Sequence, residues 1–228
     1  MTEGTVVVLG AGPGLGGAIA RRFATAGHPV AIAARGQAKL DPIVAGITGG
    51  GGRAVAIAAD ATREADVQAL FDRAEAEFGP VRVAVYNASG RVRKPIAEIE
   101  TAEVEDAWRR SCFGGFLLGR EAARRMAPRG AGTILFTGAS ASVKGYALSA
   151  TFAMGKFGLL GLAESMAREL QPKGIHVAHF VIDGGIGENP EDAGLRPDAI
   201  AETYYQVHSQ HRSAWSTKVE LRPWVENF

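Results

Sequence analysis

Short apolar runs and amphipathic stretches alternate along almost the whole chain. The apolar runs, several of them apolar at every position, predict six β-strands, at residues 5–10, 29–34, 53–59, 81–86, 132–137 and 175–182. Stretches with helical spacing predict helices at 14–27, 37–47, 63–78, 101–127, 149–172 and 197–210. Strict alternation of strand and helix predicts an α/β fold, a doubly wound parallel sheet of the Rossmann type with helices on both faces.

The composition limits the domain organisation and the partners that can be expected. The 228 residues are 46% hydrophobic and show no repeat or linker, so residues 1–228 are expected to form a single domain around one core. The net charge of +1 gives no support to a nucleic-acid partner. Cys112 is the only cysteine, and no apolar run reaches membrane-spanning length. We therefore expect a cytoplasmic protein with no membrane partner and no metal site.

A glycine-rich turn directly follows the first predicted strand and opens the first predicted helix. Glycine backbone lets a pyrophosphate approach closely, and the free N–H groups of a first helical turn attract its charge. Strand, turn and helix occur here in the order that dinucleotide binding requires, although a purely structural turn remains the alternative. The predicted cofactor-binding residues of this turn are Gly10, Gly12, Pro13, Gly14, Leu15 and Gly16.

The end of the second predicted strand bears on the choice of cofactor. An NAD-binding protein usually places a carboxylate there, which accepts hydrogen bonds from the ribose 2′-hydroxyl. This chain has Arg35 instead, which can pair with a 2′-phosphate. NADP(H) is therefore favoured over NAD(H). The alternative is an Arg35 that stacks on adenine or is simply solvated, with NAD still accepted.

Four sequence pieces together resemble the short-chain dehydrogenase/reductase family over essentially the whole chain. They are Gly10-x3-Gly14-x-Gly16, Asp60-Ala61, Asn87-Ala88-Ser89-Gly90 and Lys156. The resemblance implies that Asp60 and Ala61 contact adenine, that the Asn87–Gly90 stretch lines the cofactor, and that Lys156 binds the nicotinamide ribose. Taken alone, Asp60 could be a helix N-cap and Asn87 a turn residue.

The residues that carry proton transfer in that family are altered here. The resemblance implies a tyrosine four residues before Lys156, where this chain has Phe152. The catalytic serine position falls on Ala139, with Ser140 adjacent, and the asparagine of the proton relay aligns with Ser111. We therefore predict Lys156, Ser140 and Ser111 as the catalytic set of an atypical member that lacks the tyrosine hydroxyl.

Substrate contacts are expected around the same helix and in a segment at about residues 186–215. The predicted substrate-binding residues are Ser142, Tyr146, Phe152 and Tyr205. Tyr146, Tyr204 and Tyr205 are also candidate replacement acids, with packing as the alternative for each. Ile186 is predicted to contact the cofactor, following Asp183-Gly184-Gly185, where the family has Pro-Gly.

The last residues, from Ala214 to Trp224, contain no glycine and differ from the family's usual last strand. Trp215 and Trp224 are interpreted as core or subunit-interface aromatics, with an aromatic lid over substrate as the alternative.

Three functions are compatible with these features. The first is an atypical NADP(H)-dependent oxidoreductase acting on a small carbonyl or alcohol substrate. The second is a catalytically silent cofactor-binding protein that serves as a sensor or partner, and the third is a non-redox enzyme on the same fold.

The resemblance also implies a homodimer or homotetramer joined through the helices at 101–127 and 149–172. The recurrence of Gly155, Gly158 and Gly161 suits a partner backbone or, equally, packing on the sheet.

Overall fold

Seven parallel strands form one sheet in the computed structural model, which describes residues 4–187 and 193–225. Their order across the sheet is β3-β2-β1-β4-β5-β6-β7. The strands are β1 Thr5–Leu9, β2 Val30–Ala34, β3 Ala54–Ala58, β4 Val81–Tyr86, β5 Gly132–Thr137, β6 Ile175–Ile182 and β7 Lys218–Leu221. The first six match the predicted strands to within one residue at each end, because each is an uninterrupted apolar run bounded by turn residues.

Helices connect the strands and cover both faces of the sheet. They are α1 Leu15–Thr25, α2 Asp41–Gly49, α3 Glu64–Phe78, α4 Thr101–Trp108, α5 Gly114–Met126, α6 Ala150–Leu170 and α7 Pro197–His208. A five-residue π-helical turn, Arg109–Phe113, joins α4 to α5, so the predicted helix at 101–127 is one helix with a bulge.

Alternate residues of the strands contribute their side chains to two hydrophobic cores, one on each face of the sheet. Val7 and Leu9 of β1 point into a core that is completed by α3, α5 and α6. Val6 and Val8 point to the opposite face, where α1, α2 and α7 pack. Since β1 and the other central strands are covered on both faces, both sets of their side chains are apolar, which explains the continuous apolar runs. The predicted doubly wound α/β fold is confirmed.

The edge strand β7 corrects the expectation for the last residues. It pairs in parallel with β6, with His179 opposite Lys218 and Ile182 opposite Leu221. Four residues of alternating polarity between non-strand segments give a weak signal, because an edge strand is only half covered. Trp215 stacks on the ring of His176 with centroids 4.8 Å apart, whereas Trp224 is 77% exposed.

The glycines of α6 pack within the chain itself. A Cβ on Gly155 would lie 2.5 Å from Cβ of Ser111, and one on Gly158 would lie 2.9 Å from Sγ of Cys112. Both face the π-helical turn, while a Cβ on Gly161 would meet nothing within 4 Å. Gly155 and Gly158 are therefore explained by close contact between α6 and this turn.

Neither a membrane-spanning helix nor a cluster with metal-ligand chemistry occurs within residues 4–187 and 193–225. No helix there is both long and apolar enough to cross a bilayer. No group of three His, Cys, Asp or Glu side chains comes together there in a way that would hold a metal ion.

Candidate active site

A cleft runs along the carboxyl ends of the strands, where the strand order reverses between β1 and β4. Ligands bind at this position in open α/β sheets, because the connections diverge to opposite faces there. The cleft consists of two adjoining cavities of about 250 and 360 Å³. Asn87 and Ser89, which follow β4, line both cavities and form their common wall. We call the smaller one the Arg35 half and the larger one the Lys156 half.

The glycine-rich turn is built against the segment after β4. Gly10 has φ +94°, and a Cβ there would lie 2.3 Å from the backbone nitrogen of Ala88. A Cβ on Gly16 would lie 2.8 Å from Cα of Ala11. The side-chain amide of Asn87 donates a hydrogen bond to the carbonyl of Gly10 at 2.9 Å. These contacts require glycine and lock the two strand ends together.

The beginning of α1 has the character of an anion cradle. Gly14 is the N-cap and supplies no side-chain hydrogen bond, and the first turn carries no acidic residue. A Cβ on Gly12 or Gly14 would meet nothing within 4 Å, so this backbone borders open space. Uncapped N–H groups beside open space fit the pyrophosphate of a dinucleotide. Leu15, the first helical residue, lines the Lys156 half.

Charged side chains surround the Arg35 half. Arg35, Asp60 and Ala61 line it, as predicted from the sequence, together with Thr62 and Arg110. Burial raises the pKa of Asp60, but hydrogen bonds from the N–H and hydroxyl of Thr62 and the charges of Arg35 and Arg110 lower it overall. Asp60 is thus held as a carboxylate in a cavity that contains two guanidinium groups.

The Asn87–Gly90 segment is anchored by a residue predicted to act in catalysis. The hydroxyl of Ser111, fully buried in the π-helical turn, donates to the carbonyl of Gly90 at 3.0 Å and accepts from its N–H at 2.9 Å. Both hydrogen bonds of Ser111 are directed at Gly90, and Ser111 does not line either half of the cleft. Ser111 therefore holds the backbone of Gly90 in place, and its predicted catalytic role stays a prediction.

Lys156 lies at the floor of the cleft. Its side chain is 3% exposed, and Nζ donates a hydrogen bond to the carbonyl of Thr137 at 2.8 Å. Burial lowers the pKa of Lys156 to about 8, because no carboxylate compensates the lost hydration. An ammonium group that titrates near neutral pH can hold or release a proton under working conditions.

Phe152 lies one helical turn before Lys156 and forms the wall above it. The ring centroid is 5.7 Å from Nζ of Lys156, and both residues line the Lys156 half. Ala139 and Ser140, at the beginning of the loop after β5, line the same cavity, as does Ile186. The structure thus brings Lys156, Ser140, Phe152 and Ile186 together, and it places a ring without a hydroxyl at the cavity wall.

Ser142 does not line either half of the cleft, and its predicted contact with substrate stays a prediction. It is fully buried, and its hydroxyl accepts from the N–H of Ala139 at 3.1 Å and lies 3.3 Å from Nε2 of His179. A Cβ on Gly138 would lie 2.1 Å from the His179 ring, so this histidine packs directly beneath the loop. Ser142 and His179 fix the conformation that presents Ser140.

None of the three tyrosines considered as replacement acids is among the described residues that line the Lys156 half. Tyr205 packs in α7 against Phe23, with ring centroids 5.6 Å apart, and under the guanidinium of Arg22. Tyr204 is fully buried and its hydroxyl contacts Oγ1 of Thr137 at 2.8 Å. Tyr146 is 48% exposed and does not line the Lys156 half. Within the predicted substrate segment at 186–215, residues 188–192 lie outside the described residues.

Two arginines of the cleft were missed by sequence reasoning. Arg110 belongs to the π-helical turn and lines the Arg35 half. Arg91 lines the Lys156 half, with its guanidinium carbon 5.2 Å from the centroid of the Phe152 ring. Its position immediately after the Asn87–Gly90 segment was the available signal.

The Asp183-Gly184-Gly185 departure also has a structural explanation. The carboxylate of Asp183 is buried at the end of β6 and forms ion pairs with Arg222 at 2.8 Å and with Lys144 at 3.4 Å. Asp183 thereby ties β6 to the residue that follows β7 and to the loop after β5. Gly184 lies beside Pro223, where a Cβ would come within 2.7 Å of the proline ring.

Comparison with known proteins agrees with this architecture. The cis-4-hydroxycyclohexanecarboxylate dehydrogenase of Sinomonas cyclohexanicum is 34% identical over 204 residues, which cover 87% of this chain and 79% of that protein. A short-chain dehydrogenase from Rhodopseudomonas palustris superposes with a TM-score of 0.89 at 42% identity, covering 98% of this chain and 100% of that one. A metagenomic short-chain oxidoreductase solved in complex with NADP superposes with a TM-score of 0.86 at 28% identity, covering 96% of both chains.

The match to a family model is equally extensive. Residues 4–186, from the start of β1 to the end of the Lys156 half, match the short chain dehydrogenase model. That stretch contains the glycine turn, Asn87 and Lys156, and the similar proteins are dehydrogenases, reductases and oxidoreductases by name. The chain belongs to the short-chain dehydrogenase family.

Proposed function

We propose that this chain is an NADP(H)-dependent oxidoreductase that interconverts a carbonyl compound and the corresponding alcohol, with a proton relay that lacks the tyrosine hydroxyl. The observation that carries the proposal is the grouping of Lys156, Ser140 and Phe152 around one cavity that is continuous with the glycine turn. The Sinomonas relative, named as a dehydrogenase of a hydroxylated cyclohexane ring, supports a secondary alcohol or ketone as the substrate class.

Binding of the dinucleotide is assigned to residues along the cleft. In the proposal, the N–H groups at the start of α1 hold the pyrophosphate, Asp60 and Ala61 contact the adenine, and Arg35 pairs with the 2′-phosphate. Asn87, Ala88, Ser89 and Gly90 line the cofactor, Lys156 binds the nicotinamide ribose, and Ile186 covers the far end of the cavity. When bound, the nicotinamide would supply or accept the hydride.

The chain itself must then manage the proton. Reduction of a carbonyl builds negative charge on oxygen, which a donor has to neutralise. In the proposal, the hydroxyl of Ser140 orients the carbonyl oxygen and the ammonium group of Lys156 delivers the proton, directly or through water. The pKa of about 8 suits this role, because Lys156 is protonated at neutral pH and still able to give up its proton. The ring of Phe152 excludes water from one wall of the Lys156 half.

A cofactor titration followed by a substrate panel tests this function. NADPH and NADH are titrated separately by fluorescence, and NADPH oxidation is then followed with a set of ketones and aldehydes. We expect tighter binding of NADPH and measurable turnover of at least one carbonyl compound. Equal affinities, or tighter NADH, would exclude the proposed cofactor preference.

A second candidate is a protein that binds the cofactor without catalysis. Phe152 favours it, because the ring at the cavity wall has no proton to give. Tight NADPH binding with no oxidation by any compound of the panel would select this candidate. Turnover that needs no cofactor would instead indicate a non-redox reaction on the same fold.

We also infer a homodimer or homotetramer, formed through α4, α5 and α6. Trp108, Phe116, Met154 and Phe157 lie on these helices with 38–54% of their surface exposed. Exposed large apolar side chains on neighbouring helices are characteristic of association surfaces. Light scattering at micromolar concentration tests the inference, and a monomer at that concentration would overturn it.

A further inference from the structure

Arg91 occupies an unusual place for an arginine on a loop. It lies between Gly90 and Val92, and both of these neighbours have their backbone N–H and carbonyl bonded to a buried hydroxyl. Ser111 makes the pair with Gly90. Thr151, which is 1% exposed, accepts from the N–H of Val92 at 3.1 Å and donates to its carbonyl at 3.2 Å. Two helices therefore fix the backbone on either side of Arg91.

The side chain of Arg91 is exposed and has one aromatic neighbour in the cavity wall. Its guanidinium carbon lies 5.2 Å from the centroid of the Phe152 ring, within the range of cation–π attraction. Thr151 and Phe152 are consecutive residues of α6, so one turn of helix holds both the backbone beside Arg91 and the ring under its guanidinium. An arginine whose backbone is restrained in this way loses less conformational entropy when it binds a ligand.

The charge around Arg91 has no acidic counterpart. The described residues that line the Lys156 half include two cations, Arg91 and Lys156, and no carboxylate. No carboxylate of residues 4–187 or 193–225 forms an ion pair with Arg91, whereas the nearby Lys144 pairs with Asp183. Arg91 lines the cavity and its guanidinium has no ion-pair partner within residues 4–187 and 193–225, so its donors are available to a ligand. A planar guanidinium matches a carboxylate in shape and charge.

We propose that Arg91 binds a carboxylate of the substrate, so that the substrate class of this chain is keto acids and hydroxy acids in which an acid group lies apart from the reacting carbon. This inference rests on the proposed oxidoreductase function and names its substrate class. Phe152 then has a positive role, because its ring supports the guanidinium that holds the substrate. Ser111 and Thr151 are positioning residues that act through the backbone of Arg91.

Pairs of ligands that have similar shape and differ in charge test whether the site recognises a carboxylate. Two keto acids, the cyclic 4-oxocyclohexanecarboxylate and the linear 4-oxopentanoate, are each compared with the neutral primary amide. Binding to the NADPH-loaded full chain is measured by calorimetry, and NADPH oxidation is measured in parallel. We expect at least one acid to bind about 10-fold more tightly than its amide, as one charge-assisted contact at a partly solvated site allows.

Variants of two arginines test whether Arg91 causes the preference for acid over amide. Arg91→Gln should abolish the preference for acid over amide, while Arg93→Gln, which removes an exposed charge from the same loop, should retain it. Absence of any acid preference in the unmodified chain, including absence of detectable acid binding, overturns the proposal. Persistence of the preference in Arg91→Gln overturns it too. If acids bind preferentially but no carbonyl is reduced, the substrate-binding site stands and the proposed redox function fails.

The anchoring of the loop is tested separately. Thr151→Val removes the hydroxyl and keeps the side-chain shape, and should reduce the acid preference several-fold with an unchanged NADPH dissociation constant. Thr151→Ser returns the hydroxyl and should restore the preference. An acid preference that is identical in all three proteins would show that the anchored backbone does not position Arg91.

Discussion

The two halves of the cleft differ in how closely they follow the family pattern. In the Arg35 half, the glycine turn, Asp60 and Asn87 all have the residue types of the family, and their contacts are mutually dependent. A Cβ on Gly10 would strike Ala88, and Asn87 holds the carbonyl of Gly10. In the Lys156 half, the alignment proposed from the sequence puts Phe152 at the position of the family's tyrosine and Ala139 at that of its serine, and it leaves Lys156 unchanged.

This difference shows which part of the molecule constrains the other. At the glycine turn beside the Arg35 half, Gly10 and Gly16 are in close contact with the backbone of Ala88 and Ala11, so a side chain at either position would displace these segments. The Lys156 half is lined by side chains that project from α6 and from the loop after β5, and these can change without altering the framework. Chemistry can therefore diverge in one half while the cofactor framework is kept in the other.

The largest effect should come from removing Lys156. Lys156→Met keeps an apolar stem in the buried site and eliminates the proposed proton donor, so carbonyl reduction should fall by about 100-fold or more. Lys173→Met, which removes an exposed lysine from the turn that follows α6, is the matched control and should leave the rate unchanged. Full activity of Lys156→Met would show that the proton comes from elsewhere.

The pH dependence sharpens the same assignment. Since burial lowers the pKa of Lys156 to about 8, the fraction that carries the donated proton decreases as the pH rises through that value. Carbonyl reduction should therefore be constant near pH 6.5–7 and fall by about tenfold per pH unit well above 8. A rate that rises with pH over this range would require a different donor.

A pair of alanine variants tests the framework half. Gly10→Ala forces a side chain into φ +94° and against Ala88, so the free energy of unfolding should fall by about 3 kcal/mol. Gly12→Ala meets open space, and should leave stability within about 0.5 kcal/mol while weakening NADPH binding. Thermal unfolding and cofactor titration measure both quantities. Unchanged NADPH affinity in Gly12→Ala would remove the turn from the binding site.

Cofactor selectivity gives a smaller effect. Arg35→Ser removes the proposed partner of the 2′-phosphate, so NADPH affinity should fall about 10-fold to 100-fold while NADH affinity stays within about twofold. Lys39→Ser, which removes an exposed charge from the following turn, is the control. Equal losses for the two cofactors would indicate that Arg35 contacts the adenine or the common part of the dinucleotide.

The sequence predicted the framework better than the direction of individual side chains. The first six strands, the glycine turn and the position of Lys156 depend on local patterns, which a single sequence contains. Tyr204 and Tyr205 are adjacent in α7 and point to different neighbours, and Ser140 and Ser142 lie on opposite sides of one short turn. Such choices depend on tertiary packing, which no local pattern encodes. Arg91 was missed for the same reason, because its anchors Ser111 and Thr151 are distant in sequence.

The central claim is that the Lys156 half keeps the proposed site of the hydride reaction, and that the missing phenol at Phe152 is the change that most limits its proton relay. Phe152→Tyr restores that hydroxyl one helical turn from Lys156, whose positive charge lowers the pKa of a nearby phenol. Ala139→Ser on the same background asks in addition whether Ser140 already fills the serine position.

The most direct measurement is the rate of carbonyl reduction by Phe152→Tyr, with the NADPH dissociation constant measured on the same sample. The account predicts a rate at least about 10-fold higher with an unchanged dissociation constant. Ala139→Ser should add little to this rate if Ser140 orients the carbonyl oxygen. An unchanged or lower rate in both variants, with NADPH bound as tightly as before, would contradict the account and show that the Lys156 half has diverged beyond its proton relay.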